Sequence, residues 1–144
     1  MYEPRANTWL ADAEYVGERY SNISGFTTVS VEGNRLPYAP EHLLSATVGA
    51  RLPMGFELAL EGVYTSSSFT DDLNTVAVDP TGQRGEMPGY TVWNLTANYA
   101  LQACDCTVFA TAKNLTDELY VADMSRGMIP GMPRLLQAGF EVRF

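Results

Sequence analysis

A chain of 144 residues fits one modest domain or a piece of a larger one. Its formal charge of −8 argues against a nucleic-acid face, which must be basic, and the lack of any run of eighteen apolar residues excludes a transmembrane helix. Hydrophobic content of 46% with mean hydropathy near zero suits a soluble globule. It suits a membrane β-barrel equally, because there the apolar residues come at every second position.

Six segments alternate with period two. The first runs over about Ala6–Tyr20, with Trp9, Ala11, Ala13 and Tyr15 opposite Thr8, Leu10, Asp12 and Glu14. The second, about His42–Leu52, sets Leu44, Ala46, Val48, Ala50 and Leu52 against Leu43, Ser45, Thr47, Gly49 and Arg51. Pro53-Met54-Gly55 reads as a tight turn. The third, about Phe56–Ser67, sets Phe56, Leu58, Leu60 and Tyr64 against Glu57, Ala59, Glu61 and Thr65. The fourth, about Tyr90–Leu101, sets Trp93, Leu95, Ala97, Tyr99 and Leu101 against Asn94, Thr96 and Asn98. The fifth, about Cys106–Leu115, points Val108, Ala110 and Ala112 outward and leaves Phe109 inside with Thr107, Thr111 and Lys113. The last segment starts at Leu135 and is the most regular. Leu136, Ala138, Phe140, Val142 and Phe144 share one face, and Leu135, Gln137, Gly139, Glu141 and Arg143 the other.

Connections alternate too. Pro53–Gly55 and Gln102–Asp105 are short, whereas Asn22–Pro40, Phe69–Gly89 and Thr116–Pro133 are long and rich in Gly, Pro, Asp and Asn. Ten residues at roughly 3.3 Å rise and about 45° tilt span about 23 Å, near the apolar band of an outer-membrane barrel. The pattern predicts an all-β, antiparallel up-and-down transmembrane barrel segment, with short periplasmic turns and long extracellular loops, in contact with the lipid bilayer. Aromatics near strand ends (Tyr15, Phe56, Tyr64, Tyr90, Tyr99, Phe144) are expected to form interfacial girdles. Two alternatives stay open on pattern alone. One is a small self-contained barrel with a structural or adhesive role, using two weak strands from Asn22–Pro40. The other is a secreted lipocalin-like binder, in which the same alternation points its apolar face inward.

No catalytic constellation is present. His42, the only histidine, reads as the first residue of a strand, because no nucleophile or partnering carboxylate accompanies it. Glu57 and Glu61 point the same way but sit about 13 Å apart along a strand, too far to share acid–base work. Cys104 and Cys106 lack the further ligands a zinc site needs; a strained local disulfide and two free thiols both stay open, since an oxidising periplasm favours the bridge while the one-residue spacing is poor for its geometry. No metal site and no cofactor are predicted.

The order of motifs adds a resemblance. Gly33-Asn34-Arg35-Leu36-Pro37-Tyr38-Ala39-Pro40-Glu41-His42 precedes a strand. Ser66-Ser67-Ser68-Phe69-Thr70-Asp71-Asp72-Leu73-Asn74-Thr75 opens a long loop, and Gly82-Gln83-Arg84-Gly85-Glu86-Met87-Pro88-Gly89-Tyr90-Thr91-Val92-Trp93 closes it. Asn114-Leu115-Thr116-Asp117-Glu118-Leu119-Tyr120 and Pro133-Arg134 follow. This series resembles the C-terminal part of the barrel of TonB-dependent outer-membrane receptors, most of all the ferric-dicitrate receptor branch, and covers nearly all of residues 30–144. Asn-Leu-Thr-Asp and Pro-Arg are generic to the superfamily, while the Phe69–Thr75 and Gly82–Trp93 pieces are more specific.

The resemblance implies a bacterial outer-membrane barrel of twenty-two strands around an N-terminal plug. Residues 1–144 would be its last six strands, the plug and signal peptide lying outside this chain. Roughly 24 residues per strand put a whole barrel near about 530 residues, and a barrel needs about eight strands to close, so this segment alone would leave two unpaired edges. The implied function is binding and import of a ferric chelate, with energy from the TonB complex acting through the plug. The loops offer Arg84 and Arg126 as chelate contacts, with Asn74, Gln83 and Ser125 as polar neighbours. Val121–Gly127 departs from the ferric-dicitrate branch, being shorter and without its Asn-rich stretch. The resemblance also assigns Phe140, Val142 and Phe144 as a signal for the outer-membrane assembly machinery.

Overall fold

The structure is a computed structural model that describes residues 2–17, 20–22, 28–101 and 103–142. Six strands form one antiparallel sheet in chain order: β1 (Tyr2–Leu10), β2 (His42–Arg51), β3 (Phe56–Thr65), β4 (Tyr90–Leu101), β5 (Cys106–Lys113) and β6 (Leu135–Val142). Each strand pairs with its neighbours in sequence, and the sheet does not close: β1 and β6 are its edges. Short ladders, Tyr20–Asn22 with Thr28–Ser30, Ser68–Phe69 with Glu86–Met87, and Val121–Asp123 with Ile129–Pro130, stand outside it in the long connections.

The register sorts the side chains by polarity. Val48, Leu60, Leu95, Ala112 and Leu136 lie in one cross-strand row. Leu58, Ala97, Ala110 and Ala138 lie in the next row on the same face, followed by Phe56, Tyr99, Val108 and Phe140. The opposite face carries Thr47, Glu61 and Asn94 in one row and Arg51, Glu57, Asn98, Phe109 and Gly139 in another. The pairing follows the sequence alternation because shifting any strand by one residue would mix the two sets.

Apolar alternation does not create a dry interior here. Leu44, Leu58, Trp93 and Phe140 are 40, 37, 40 and 76% exposed, and the only fully buried hydrophobic residues described, Val31 and Met124, lie in the long loops. A lipocalin-like binder would bury that face inside itself, and a small self-contained barrel would join its first and last strands. The described residues do neither. An exposed face of Leu, Val, Ala and aromatic side chains, continuous over neighbouring strands, has acyl chains as its natural solvent.

Two glycines let aromatic rings lie flat across neighbouring strands. A Cβ on Gly62 would stand 2.7 Å from Cζ3 of Trp93 on the apolar face, and one on Gly139 would stand 2.5 Å from Cζ of Phe109 on the polar face. Such ring-over-glycine pairs cover backbone that would otherwise be bare. The β2–β3 turn holds Met54 and Gly55 at φ 69° and 84°, and a Cβ on Gly55 would meet the Ala100 carbonyl oxygen at 2.8 Å. The β4–β5 turn holds Cys104 and Cys106 as a disulfide, their Cα atoms 5.2 Å apart.

Three expectations are corrected. The first strand is Tyr2–Leu10 and not Ala6–Tyr20: residues past Leu10 stay extended but pair with residues 33–36 above the sheet, through Tyr15 N–H to the Asn34 carbonyl and Leu36 N–H to the Ala13 carbonyl. The register places Trp9 in the polar-face row of Leu43, Thr65 and Tyr90. Tyr15 and Tyr90 therefore do not belong to an outer aromatic girdle; Tyr90 instead stacks on Tyr120, ring centroids 4.1 Å apart. Phe56, Tyr64 and Tyr99 lie on the apolar face as expected, with Phe56 and Tyr99 in ring contact at 4.5 Å. Phe144 lies outside the described residues.

Candidate functional site

The long connections (residues 11–41, 66–89 and 114–134) all leave the same end of the sheet, and their described residues pack on one another. Hydrogen bonds and a ring contact carry the first contact, among them Tyr38 N–H to the Phe69 carbonyl at 2.7 Å and Arg35 Nη2 to the Ser67 carbonyl at 2.8 Å. Arg35 N–H donates to Asn74 Oδ1 at 2.7 Å, Asn74 Nδ2 donates back to the Arg35 carbonyl at 2.8 Å, and Asn34 Nδ2 donates to the Asp72 carbonyl at 2.8 Å. The Arg35 guanidinium lies 5.0 Å over the Phe69 ring. Asn74 sits at φ 52°, in the left-handed region that asparagine tolerates better than most residues. The first and third connections meet where Tyr38 faces Asp123: partial burial, then that carboxylate, push the Tyr38 hydroxyl above its ordinary value of 10.0. A cavity of about 190 Å³ lies among all three connections, lined by Tyr38, Ser68, Met87, Tyr90 and Val121 among others.

The tip of the second connection is built on Asp79. Its Oδ1 accepts the Gln83 and Arg84 amides at 3.0 and 3.2 Å, and its Oδ2 accepts the Thr81 hydroxyl at 2.8 Å. Thr81 first, and then the Arg84, Gln83 and Gly82 amides against an opposing desolvation effect, hold this carboxyl below its ordinary 3.8. A carboxyl whose folded pKa is depressed stabilises the turn fully above its unfolded pKa and loses that contribution as pH falls through the folded one. Asp79→Asn is therefore expected to raise hydrogen exchange at the Gln83 and Arg84 amides at neutral pH. The wild-type turn keeps its protection down to about pH 4 and loosens only below it. Equal protection in the variant at neutral pH would contradict this account of the turn.

That tip touches the third connection. A Cβ on Gly82 would lie 3.2 Å from the Met128 nitrogen, and one on Gly127 would lie 3.5 Å from the Thr81 carbonyl oxygen. The loop segments that carry Gln83 and Arg84 on one side and Ser125 and Arg126 on the other therefore meet through their backbones at Gly82 and Gly127. Both arginines are exposed, and among the described residues no ion pair engages either guanidinium. Arg126 does help to hold Asp123 below its ordinary 3.8, after the Ser125 hydroxyl and amide that bond the same carboxylate.

Of the residues read from sequence as loop contacts, Gln83, Arg84 and Arg126 present exposed side chains at this junction. Asn74 and Ser125 have theirs engaged within the loops. Phe140 and Val142 lie on the apolar face, 76 and 36% exposed. Glu57 and Glu61 are on the polar face, Glu57 paired with Arg51 at 2.8 Å and Glu61 accepting from Asn94 Nδ2 at 2.8 Å. His42 opens β2, its amide donating to the Ser66 hydroxyl. Sequence reasoning did not single out Arg35, Tyr38, Tyr120 or Asn114 as functional. Arg35 and Tyr38 stood in the Gly33–His42 motif, but nothing local told that they meet residues more than thirty positions away.

An antiparallel wall with an apolar outer face, a polar inner face, tight turns at one end and interlocked loops at the other is a segment of an outer-membrane β-barrel. The family model described as TonB dependent receptor-like, beta-barrel matches residues 5–115, and the chain belongs to that family of outer-membrane receptors. Solved structures agree. The ferric citrate transporter FecA in its unliganded form is 28% identical over 76% of this chain, with a TM-score of 0.66. The siderophore receptor PiuA from Acinetobacter baumannii is 18% identical over 97% of this chain at a TM-score of 0.73. The ferric-catecholate import receptor Fiu from E. coli K12 is 23% identical over 76% at 0.62. The chain spans 17, 20 and 15% of the lengths of these proteins, respectively.

Proposed function

We propose that this chain is the C-terminal barrel part of a receptor that captures an anionic ferric chelate at the cell surface and admits it to the periplasm. A plug would gate the passage and the TonB complex would supply the energy through it. The assembly machinery would read Phe140, Val142 and Phe144. The mechanism is binding and gated passage, with no covalent step. The observation that supports the reading is the junction of two loop tips, whose segments carry Gln83, Arg84 and Arg126 with exposed side chains and, among the described residues, no ion pair at either arginine. Arginine forks donate paired hydrogen bonds to carboxylates, which fits a chelate whose ligands are carboxylate oxygens. The likeness to FecA, a ferric citrate transporter, supports the same cargo class.

Equilibrium binding of a panel of ferric chelates to the detergent-solubilised full-length receptor tests this. Arg84→Ala and Arg126→Ala are each expected to weaken an anionic chelate by roughly tenfold to a hundredfold, the worth of a charge-assisted hydrogen bond. Undiminished binding of every anionic chelate to the double variant would refute the assignment.

A further inference from the structure

Arg35 is held from several directions at once. Its backbone pairs with the Asn74 amide at both N–H and C=O, as a neighbouring strand would. Its guanidinium stacks over Phe69, donates through Nη2 to the Ser67 carbonyl at 2.8 Å, and lies 3.3 Å through Nη1 from Glu41 Oε1. Its Nε is buried without a partner. A contact selected for stability alone would avoid such an orphan; here the head group lies where it joins the first connection, the base of the second and the start of β2.

From that clasp a continuous line of bonds runs to the tip. Phe69 pairs with Glu86, and the Thr70 hydroxyl accepts the Gly85 amide at 2.9 Å while the Thr70 amide donates to the Gly85 carbonyl at 3.1 Å. Glu86 N–H donates to the Val76 carbonyl, and Arg84, next to Gly85, is bonded by its carbonyl to the Asp79 amide.

We propose that Arg35 is a positioning residue for ligand capture: by clasping Asn74 and Phe69 it fixes the loop tip that presents Arg84. The inference rests on the chelate reading above and assigns a role inside that site to a residue that does not touch the ligand. A tip free to wander is binding-competent for only a fraction of the time, and apparent affinity falls by that fraction. Lysine cannot stand in, because it lacks the planar head that stacks on a ring and donates in its own plane.

The test uses the full-length receptor with ferric citrate as the probe. Arg35→Ala, Arg35→Lys and, from the other side of the clasp, Asn74→Ala are expected to raise hydrogen exchange over residues 79–85 and to weaken binding about tenfold. In an Arg84→Ala background, Arg35→Ala is expected to add almost nothing, since it acts through Arg84. A general loss of fold would instead multiply the two effects. Unchanged exchange at 79–85 in the Arg35 variants, or multiplying losses, overturns the proposal. If Arg84→Ala alone leaves ferric citrate binding intact, the chelate reading fails, and the exchange measurement still decides whether Arg35 fixes the tip.

Discussion

Leu60→Arg is expected to destabilise the folded barrel by about 2–4 kcal/mol in a bilayer, while Thr47→Arg costs less than about 1 kcal/mol. Leu60 is the middle outward position of β3, between Val48 and Leu95 in its cross-strand row. An arginine there would lie near the bilayer midplane, where its head cannot reach water without distorting lipid or chain. Thr47 sits on the other face, paired with Glu61. An arginine at that position meets a carboxylate and a wet lumen. Reversible unfolding of the full-length receptor from lipid vesicles measures both, and equal penalties would contradict the two-solvent account of this sheet.

Asn114→Ala should be the most damaging single change in the loops, at roughly 2–4 kcal/mol of local stability. Asn114 is 2% exposed and follows the last residue of β5. Its Nδ2 donates to the Glu118 and Met132 carbonyls, both at 2.9 Å, and its Oδ1 accepts the Glu118 amide at 2.8 Å. Its own amide donates to Asn94 Oδ1, and Asn94 in turn donates to Glu61, so the base of the third connection is tied across β4 to β3. Asp117 completes the closure by accepting the Arg134 amide at 2.8 Å. The pattern explains why an Asn-Leu-Thr-Asp run and a Pro-Arg pair accompany each other: they stitch the two limbs of one loop. Asn114→Asp makes the test specific. It keeps the acceptor for Glu118 but sets a carboxylate against two carbonyls, so it should fail about as badly as alanine. Hydrogen exchange and limited proteolysis over residues 116–132 read the result. A wild-type-like aspartate variant would show that the two donated bonds do not hold the loop.

Much of the wall was legible because its two solvents are written as period two. The alternating faces read for β2 to β6 agree with the register over the described residues, including the inward Phe109, which lies over Gly139; the outward girdle place expected for Tyr90 is the exception. The first strand was misplaced for a definite reason. Alternation is the same whether an extended chain pairs with a wall strand or with a loop limb, so Ala11, Ala13 and Tyr15 looked like a continuation of Trp9. The loop interlock was the least legible part. Arg35 and Asn74 are 39 residues apart, and neither composition nor period encodes their meeting. Arg84 and Arg126 could be picked out as exposed loop cations, but the meeting of the two loop segments that carry them depends on the Gly82–Met128 approach, which only the folded chain reveals.

Nitroxide labels placed one at a time from Leu58 to Glu61 in β3 and from Leu95 to Asn98 in β4 test the central claim most directly. In the membrane-embedded receptor, accessibility to oxygen, which concentrates in lipid, should peak at Leu58, Leu60, Leu95 and Ala97. A water-soluble relaxant should instead reach Ala59, Glu61, Thr96 and Asn98. Accessibility that fails to alternate, or that alternates in the opposite phase, would contradict an apolar face turned to lipid and a polar face turned to the lumen.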